Sequence, residues 1–291
     1  MTGVIVKGIG GFYYVATEEG VFECRARGIF RLEGETPLVG DRVEISVVNA
    51  EKREGSLDKI LPRRSETLRP RAANIDQAAI VVAAKSPAPN RDLIDRLLIL
   101  AEEQSLGVLL CINKMDLDKK GMAAELVQLY RDAGYPVFPL SVARSEGVDA
   151  LREALTGKTT ILAGPSGVGK SSLVNALAPE LGLSTGGLSR KTDRGRHTTR
   201  HTELFRLGED TFLADAPGFS SLSLELVTPE GLQNDFPEIR RVQEPCYYVG
   251  CSHTHEPDCA VKAQVGKTIR AERYETYVAL YRELSERKPR P

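Results

Sequence analysis

The run Gly164-Pro165-Ser166-Gly167-Val168-Gly169-Lys170-Ser171 has the spacing G-x-x-x-x-G-K-[ST]. Glycines so placed let a backbone curl until its N–H groups face phosphate oxygens. A lysine then reaches the outer phosphates of a nucleoside triphosphate, and the hydroxyl binds Mg²⁺. The apolar residues Thr160–Ala163 just before it read as a strand. Lys170, Ser171 and Ser172 open a helical pattern whose positive end favours the same anion. A bare glycine-rich turn would need neither neighbour.

Asn113-Lys114-Met115-Asp116 follows the apolar run Val108–Ile112. At such a strand end the Asp116 carboxylate can accept from both N1–H and the 2-amino group of guanine. Adenine offers neither donor, and a polar group left unpaired in the site discriminates strongly against the wrong base. Alone, the tetrapeptide would read as a surface turn opening a helix; beside a phosphate loop it reads as a guanine contact. Asp215-Ala216-Pro217-Gly218 follows another expected strand, Thr211–Ala214. There Asp215 could join the Mg²⁺ shell and the Gly218 N–H could meet a γ-phosphate. Between these parts lies Arg190–Arg200, polar and basic, whose Thr198 or Thr199 could sense the γ-phosphate through Mg²⁺.

The second chemical cluster is Cys246-x4-Cys251-x-His253-x-His255-x3-Cys259. Three thiolates and one imidazole suit a closed tetrahedral Zn²⁺ site, structural rather than catalytic because no position stays open. Three cysteines cannot all pair with one another, which weakens the disulfide reading. On spacing alone either histidine could complete the set. Cys24 and Cys111 fall in expected strands and read as small core residues.

These residues need elements to hold them. Short β-branched runs at Val4–Gly8, Phe12–Ala16, Val21–Arg25 and Gly40–Val48 alternate with glycine turns and predict a small antiparallel barrel. The arginine-rich stretch Arg63–Arg71 is the expected boundary after it. Strands at Ala79–Ala84, Val108–Ile112, Val137–Leu140 and Thr160–Ala163 then alternate with helices at Arg91–Gln104, Ala123–Ala133 and Val148–Leu155, the signature of a parallel α/β sheet. Thr202–Leu207 and Thr211–Ala214 read as a hairpin. A tail helix is expected from about Thr268 to Glu286.

Composition bounds the rest. The 291 residues suffice for two or three domains, 41% are hydrophobic and 27% charged, and the net charge is −1. Any nucleic-acid partner must therefore be met by local basic patches. No apolar run approaches a membrane span, and Met1–Gly11 lacks a signal-like pattern, so a cytoplasmic chain with no membrane partner is expected.

The motif order, Asn113–Asp116, then Ser141, the phosphate loop, Thr198-Thr199 and Asp215–Gly218, resembles a Ras-type GTPase sheet permuted so that its last strands come first. With the barrel before it, the Cys/His cluster after it, Gly40-Asp41-Arg42-Val43 in the barrel and Arg273-Tyr274-x-x-Tyr277 in the tail, nearly the whole chain resembles the ribosome small-subunit-dependent GTPase A (RsgA) family. The resemblance implies a multidomain fold: an OB-fold β-barrel over 1–67, a central α/β circularly permuted P-loop GTPase over 68–222, and a mainly helical zinc-binding domain over 223–291. It implies a monomeric GTPase acting in late maturation of the small ribosomal subunit, with GTP, GDP, Mg²⁺, the subunit and its rRNA as partners. The residues implied to hold nucleotide are Asn113, Lys114, Met115 and Asp116; Ser141-Val142, where the family usually has Ser-Ala; Gly164 through Ser172; and Thr199, Asp215 and Gly218. Lys170 and Thr199 are implied in catalysis. Phe219 stands where Ras-type enzymes carry the glutamine that orients water, leaving His197 as the candidate for that task. The family's Cys-x-His spacing favours His253 over His255, making Cys246, Cys251, His253 and Cys259 the implied Zn²⁺ ligands. Rivalling the subunit-bound enzyme is a GTP-switched regulatory module with a protein partner, in which hydrolysis only resets the conformation.

Overall fold

The computed structural model describes residues 1–28, 30, 34–68, 71–182, 202–215 and 224–287, with Asp215 described by its backbone alone. In chain order the strands are β1 (Thr2–Ile9), β2 (Phe12–Thr17), β3 (Gly20–Ala26), β4 (Arg42–Asn49), β5 (Glu54–Ile60), β6 (Glu66–Leu68), β7 (Arg71–Ala73), β8 (Gln77–Ala83), β9 (Gly107–Asn113), β10 (Val137–Pro139), β11 (Thr159–Ala163), β12 (Glu203–Gly208) and β13 (Thr211–Asp215). The helices are α1 (Arg91–Glu103), α2 (Ala123–Ala133), α3 (Val148–Leu155), α4 (Lys170–Leu177), α5 (Pro237–Arg240), α6 (Ala260–Ala263) and α7 (Ala271–Ser285). The chain divides into two compact units. One comprises Met1–Ala78, Asp149–Ala163 and Lys170–Ser220, the other Ala79–Val148, Gly164–Gly169 and Ser221–Pro291.

In the first unit, strands β1–β5 close into a barrel of order β1-β2-β3-β5-β4. Period-two alternation turns Ile5, Val15, Phe22, Cys24, Val43, Ile45 and Leu57 into one buried cluster. β5 has no β-branched run to announce it; it is fixed by pairing antiparallel to β4 and parallel to β3. The arginine-rich connector is structured as well, because β6 and β7 pair as a short antiparallel hairpin. Asp41 of the Gly40-Asp41-Arg42-Val43 motif is fully buried. It accepts from Arg63 Nε at 2.7 Å and Nη2 at 2.8 Å, and from the Leu38 N–H at 2.7 Å. β11 runs parallel to β13, which pairs antiparallel with β12.

In the second unit β9 lies between β8 and a parallel β10. Helix α1 is capped by Asn90, whose side chain accepts from the Leu93 N–H at 3.3 Å, and it buries Ile94, Leu97, Leu98 and Ala101 at helical spacing. α2 ends at Gly134, left-handed at φ 103°. The core of the tail is continuous with α1. Leu224, Leu232, Phe236, Ile239, Val261, Ile269, Tyr277 and Leu280 pack in one cluster with Ile99 of α1. Inside this contact Arg273 of α7 is 1% exposed, donates to Glu238 Oε1 at 2.7 Å and to Asp95 of α1, and lies 4.6 Å from the Phe236 ring centre. Among the described residues no helix is long and apolar enough to cross a membrane.

Candidate nucleotide site and metal centre

The phosphate-loop segment leaves β11 at Gly164, where φ is 136° and an added Cβ would fall 2.0 Å from the Val81 carbonyl oxygen of β8. Only glycine allows that approach. Gly169, at φ 100°, is constrained from the other side, since a Cβ there would fall 2.5 Å from Asn113 Nδ2. The two outer glycines of the motif are therefore required by neighbouring strands as well as by any phosphate.

Asn113 ends β9 and is 2% exposed. Its Nδ2 donates to the Val168 carbonyl at 2.9 Å, and its Oδ1 accepts from the Val142 N–H at 3.2 Å. One amide thus joins the phosphate loop to the Ser141-Val142 corner. Lys114 adopts a left-handed conformation at φ 62°, which turns its side chain onto the loop: Nζ donates to the Gly167 carbonyl at 2.6 Å and to the Ser86 carbonyl. Asp116 lies within a short 3-10 turn, Met115–Leu117. Its Oδ1 accepts from Ser141 Oγ at 2.7 Å, and the other oxygen has no hydrogen-bond partner among the described residues. The Ser141 hydroxyl, itself 1% exposed, aims that carboxylate. Asn113, Lys114, Asp116, Ser141, Val142 and Gly164 to Gly169 are brought together, with one carboxylate oxygen left for a donor.

The chain runs from Gly169 straight into Lys170 and Ser171, the first residues of α4; Ser171 is buried. Asp215 is the last residue of β13. The other nucleotide candidates, His197, Thr198, Thr199, Gly218 and Phe219, lie outside the described residues.

Near the C-terminus Cys246, Cys251, His253 and Cys259 present donor atoms that all lie within 4.8 Å of one another. Cys246 Sγ is 3.8 Å from Cys259 Sγ and 3.5 Å from His253 Nδ1, which is 3.4 Å from Cys259 Sγ. A tetrahedral centre with arms of about 2.3 Å has edges of roughly 3.8 Å, so the set fits a Cys₃His metal. Gln233 Oε1, an acceptor 2.9 Å from His253 Nε2, fixes the proton there and leaves Nδ1 as the lone-pair donor. His255 is exposed and bonds Thr254 Oγ1 at 3.0 Å, outside the group. None of the five cysteines forms a disulfide, and Cys24 and Cys111 are buried in strands.

Three features of the site region were given no role by the sequence. Gln233 orients the histidine from 20 residues away. Tyr274 and Tyr277 of α7 donate through their hydroxyls to the His253 and Ser252 carbonyls, both at 2.8 Å, fixing the cluster's backbone. The connector arginines are largely occupied: Arg63 by Asp41 and Glu66, Arg64 by Asp76 at 3.1 Å, and Arg71 by Glu66 at 3.1 Å. Arg69 lies outside the described residues.

Comparison with known proteins agrees with this geometry. The family model described as RsgA GTPase matches residues 60–225, and that of the RsgA N-terminal domain matches residues 2–55. A curated relative from Agathobacter rectalis, named small ribosomal subunit biogenesis GTPase RsgA, is 43% identical over 300 residues, covering 99% of each chain. Its namesake from Ruminiclostridium cellulolyticum is 45% identical over 288 residues, 98% of this chain and 94% of its own. Among solved structures, YjeQ from Thermotoga maritima matches with a TM-score of 0.83 at 34% identity over 99% of both chains. YloQ, described as a circularly permuted GTPase, matches with a TM-score of 0.81 at 38% identity over 100% of this chain and 96% of its own. With its nucleotide motifs in permuted order behind a closed barrel, this chain belongs to the RsgA family of GTP-hydrolysing enzymes.

Proposed function

We propose that this GTPase binds the small ribosomal subunit and acts in its late maturation, hydrolysing GTP to GDP and phosphate faster when bound there. The observation that carries the nucleotide half is Asn113, whose amide ties the phosphate loop to the corner that aims Asp116. The relatives' printed names supply the ribosomal half.

In this reading Asp116 accepts from the guanine N1–H and 2-amino groups, while Asn113, Lys114, Met115, Ser141 and Val142 shape the base pocket. Backbone N–H groups from Gly164 to Gly169 cradle the phosphates. Lys170 neutralises charge developing on the transferred phosphoryl group, and Ser171 and Asp215 serve the Mg²⁺ that accompanies GTP, with Ser172 beside them. Thr199 and Gly218 sense the γ-phosphate, and His197 positions the attacking water in place of the glutamine that Phe219 replaces. Cys246, Cys251, His253 and Cys259 hold one structural Zn²⁺, which would cross-link the tail and carry no step of hydrolysis. The domains follow as 1–67, 68–222 and 223–291, in a monomeric cytoplasmic protein.

Phosphate release from GTP, measured with and without purified small subunits, tests the proposal. Stimulation of tenfold or more, abolished by Lys170→Ala, is expected; no stimulation would leave the subunit without a role. Elemental analysis of protein purified without added metal should give one zinc per chain. Its loss with Cys251→Ser, with GTP affinity kept, would support a structural ion, whereas a metal-free native chain would exclude one.

A further inference from the structure

A second cavity, of about 640 Å³, opens in the second unit between the start of α1 and the face of α2. That volume is in the range of sites for small organic ligands, roughly 300–1,000 Å³. None of the residues assigned above to nucleotide or metal lines it. Its walls are apolar: Ala84, Ala88 and Pro89 before α1, and Met122, Leu126 and Leu129 at and within α2. Met122 is 73% exposed, a large apolar side chain at the opening that the fold does not cover with described residues.

The rim carries Lys85, Arg91, Lys119 and Lys120. Their side chains make no ion pair or hydrogen bond with a described residue. The carboxylates at the same rim are already engaged. Asp118 accepts from the Ala123 N–H at 2.6 Å and so caps α2. Glu272 pairs with Arg270 at 3.1 Å and is held below the usual carboxylate range by it, with a smaller contribution from the nearby Arg91 charge, and Glu125 lies 3.9 Å from the Arg270 guanidinium. Lys85, Arg91, Lys119 and Lys120 thus face Asp118, Glu125 and Glu272, two of which also share Arg270, so a net positive charge remains at the mouth, above a floor that gains by shedding water.

We propose that this cavity binds a small amphipathic organic anion, its apolar body against Leu126 and Leu129 and its carboxylate-type head among the four rim cations. A neutral apolar molecule would leave the surplus positive charge unmatched, and an organic cation would be repelled by it. A nucleic-acid phosphate strand would satisfy the rim but leave the apolar floor wet.

The chain contains no tryptophan, so Met122→Trp places a single indole at the mouth of the cavity. Titrating this full-length variant below micelle-forming concentrations with decanoate, decanol and decyltrimethylammonium tests the charge preference. The expected result is a saturable one-to-one emission change with decanoate, at least tenfold weaker for the other two. Adding Lys119→Glu and Lys120→Glu should lower decanoate affinity at least tenfold and leave GTP affinity unchanged. Calorimetry of decanoate binding to the unsubstituted chain should return the same stoichiometry. Equal responses to all three probes, no saturable binding in either measurement, or undiminished decanoate binding by the charge-reversed variant would each overturn the proposal. So would binding of an acidic peptide with a leucine anchor where decanoate does not bind.

Discussion

At the residue scale the site turns on how few polar groups are left unpaired. Both ends of the Asn113 amide are used inside the protein, and one oxygen of Asp116 is used by Ser141, so the carboxylate arrives pre-aimed with one oxygen spare. Asp116→Asn turns half of an acceptor pair into a donor facing the guanine 2-amino group or N1–H. That mismatch is expected to weaken GTP binding about 10- to 100-fold, the cost of one or two buried unsatisfied groups. Equilibrium titration with a fluorescent GTP analogue reads it directly, and unchanged affinity would place base recognition elsewhere. The N-K-x-D spacing made this corner legible in the sequence as a candidate base contact. It did not show that Asn113 and Lys114 spend their side chains on the phosphate loop, because those bonds join residues more than 50 apart. The choice of His253 over His255 likewise rests on a backbone turn, with His253 left-handed at φ 60°, that residue spacing alone leaves open.

At the scale of elements, α7 determines how the Cys₃His cluster is held. Its Tyr274 and Tyr277 grip the cluster's backbone while Arg273 reaches the other way, to Asp95 of α1 and Glu238 of α5. Burial raises the Asp95 carboxyl above its usual range even with Arg273 beside it. Arg273→Met would strand two buried carboxylates, and a loss of about 3–5 kcal/mol is expected in urea unfolding. A change below about 1 kcal/mol would show that the network contributes little.

Asp235, in the turn before α5, is 4% exposed, and burial with repulsion from Glu103 and Glu102 pushes its carboxyl up to about 7. A folded-state value above the unfolded one favours the fold at low pH, and that stability is lost as pH rises through about 7. Asp235→Asn should therefore match the native protein near pH 4 and exceed it at pH 8 by up to about 4 kcal/mol. Melting curves at both pH values check the sign, and an equal difference at the two would contradict it. The helices α1, α2 and α3 were legible because each repeats buried apolar residues at helical spacing over two or more turns. The strands β5, β6 and β7 were not. Glu54-Gly55-Ser56-Leu57-Asp58-Lys59-Ile60 has little β-propensity of its own, and pairing alone makes it a strand. The arginines of the stretch expected as a bare boundary are paired with Asp41, Glu66 and Asp76 by the same folding of the connector.

At the scale of the whole molecule the permutation gives the enzyme its distinctive connection. The Asp215–Gly218 motif leads along the chain directly into the tail that carries the Cys₃His cluster, and that tail shares a core with α1. In the proposed reading, a γ-phosphate contact near Gly218 would have a short covalent route to the tail, whose orientation would set affinity for the subunit. The most direct measurement is equilibrium binding of the full chain to purified small ribosomal subunits, with GDP and with a non-hydrolysable GTP analogue. The account predicts binding about 5- to 150-fold tighter with the analogue, the usual span of such coupling, and equal affinity in the two nucleotide states would contradict it.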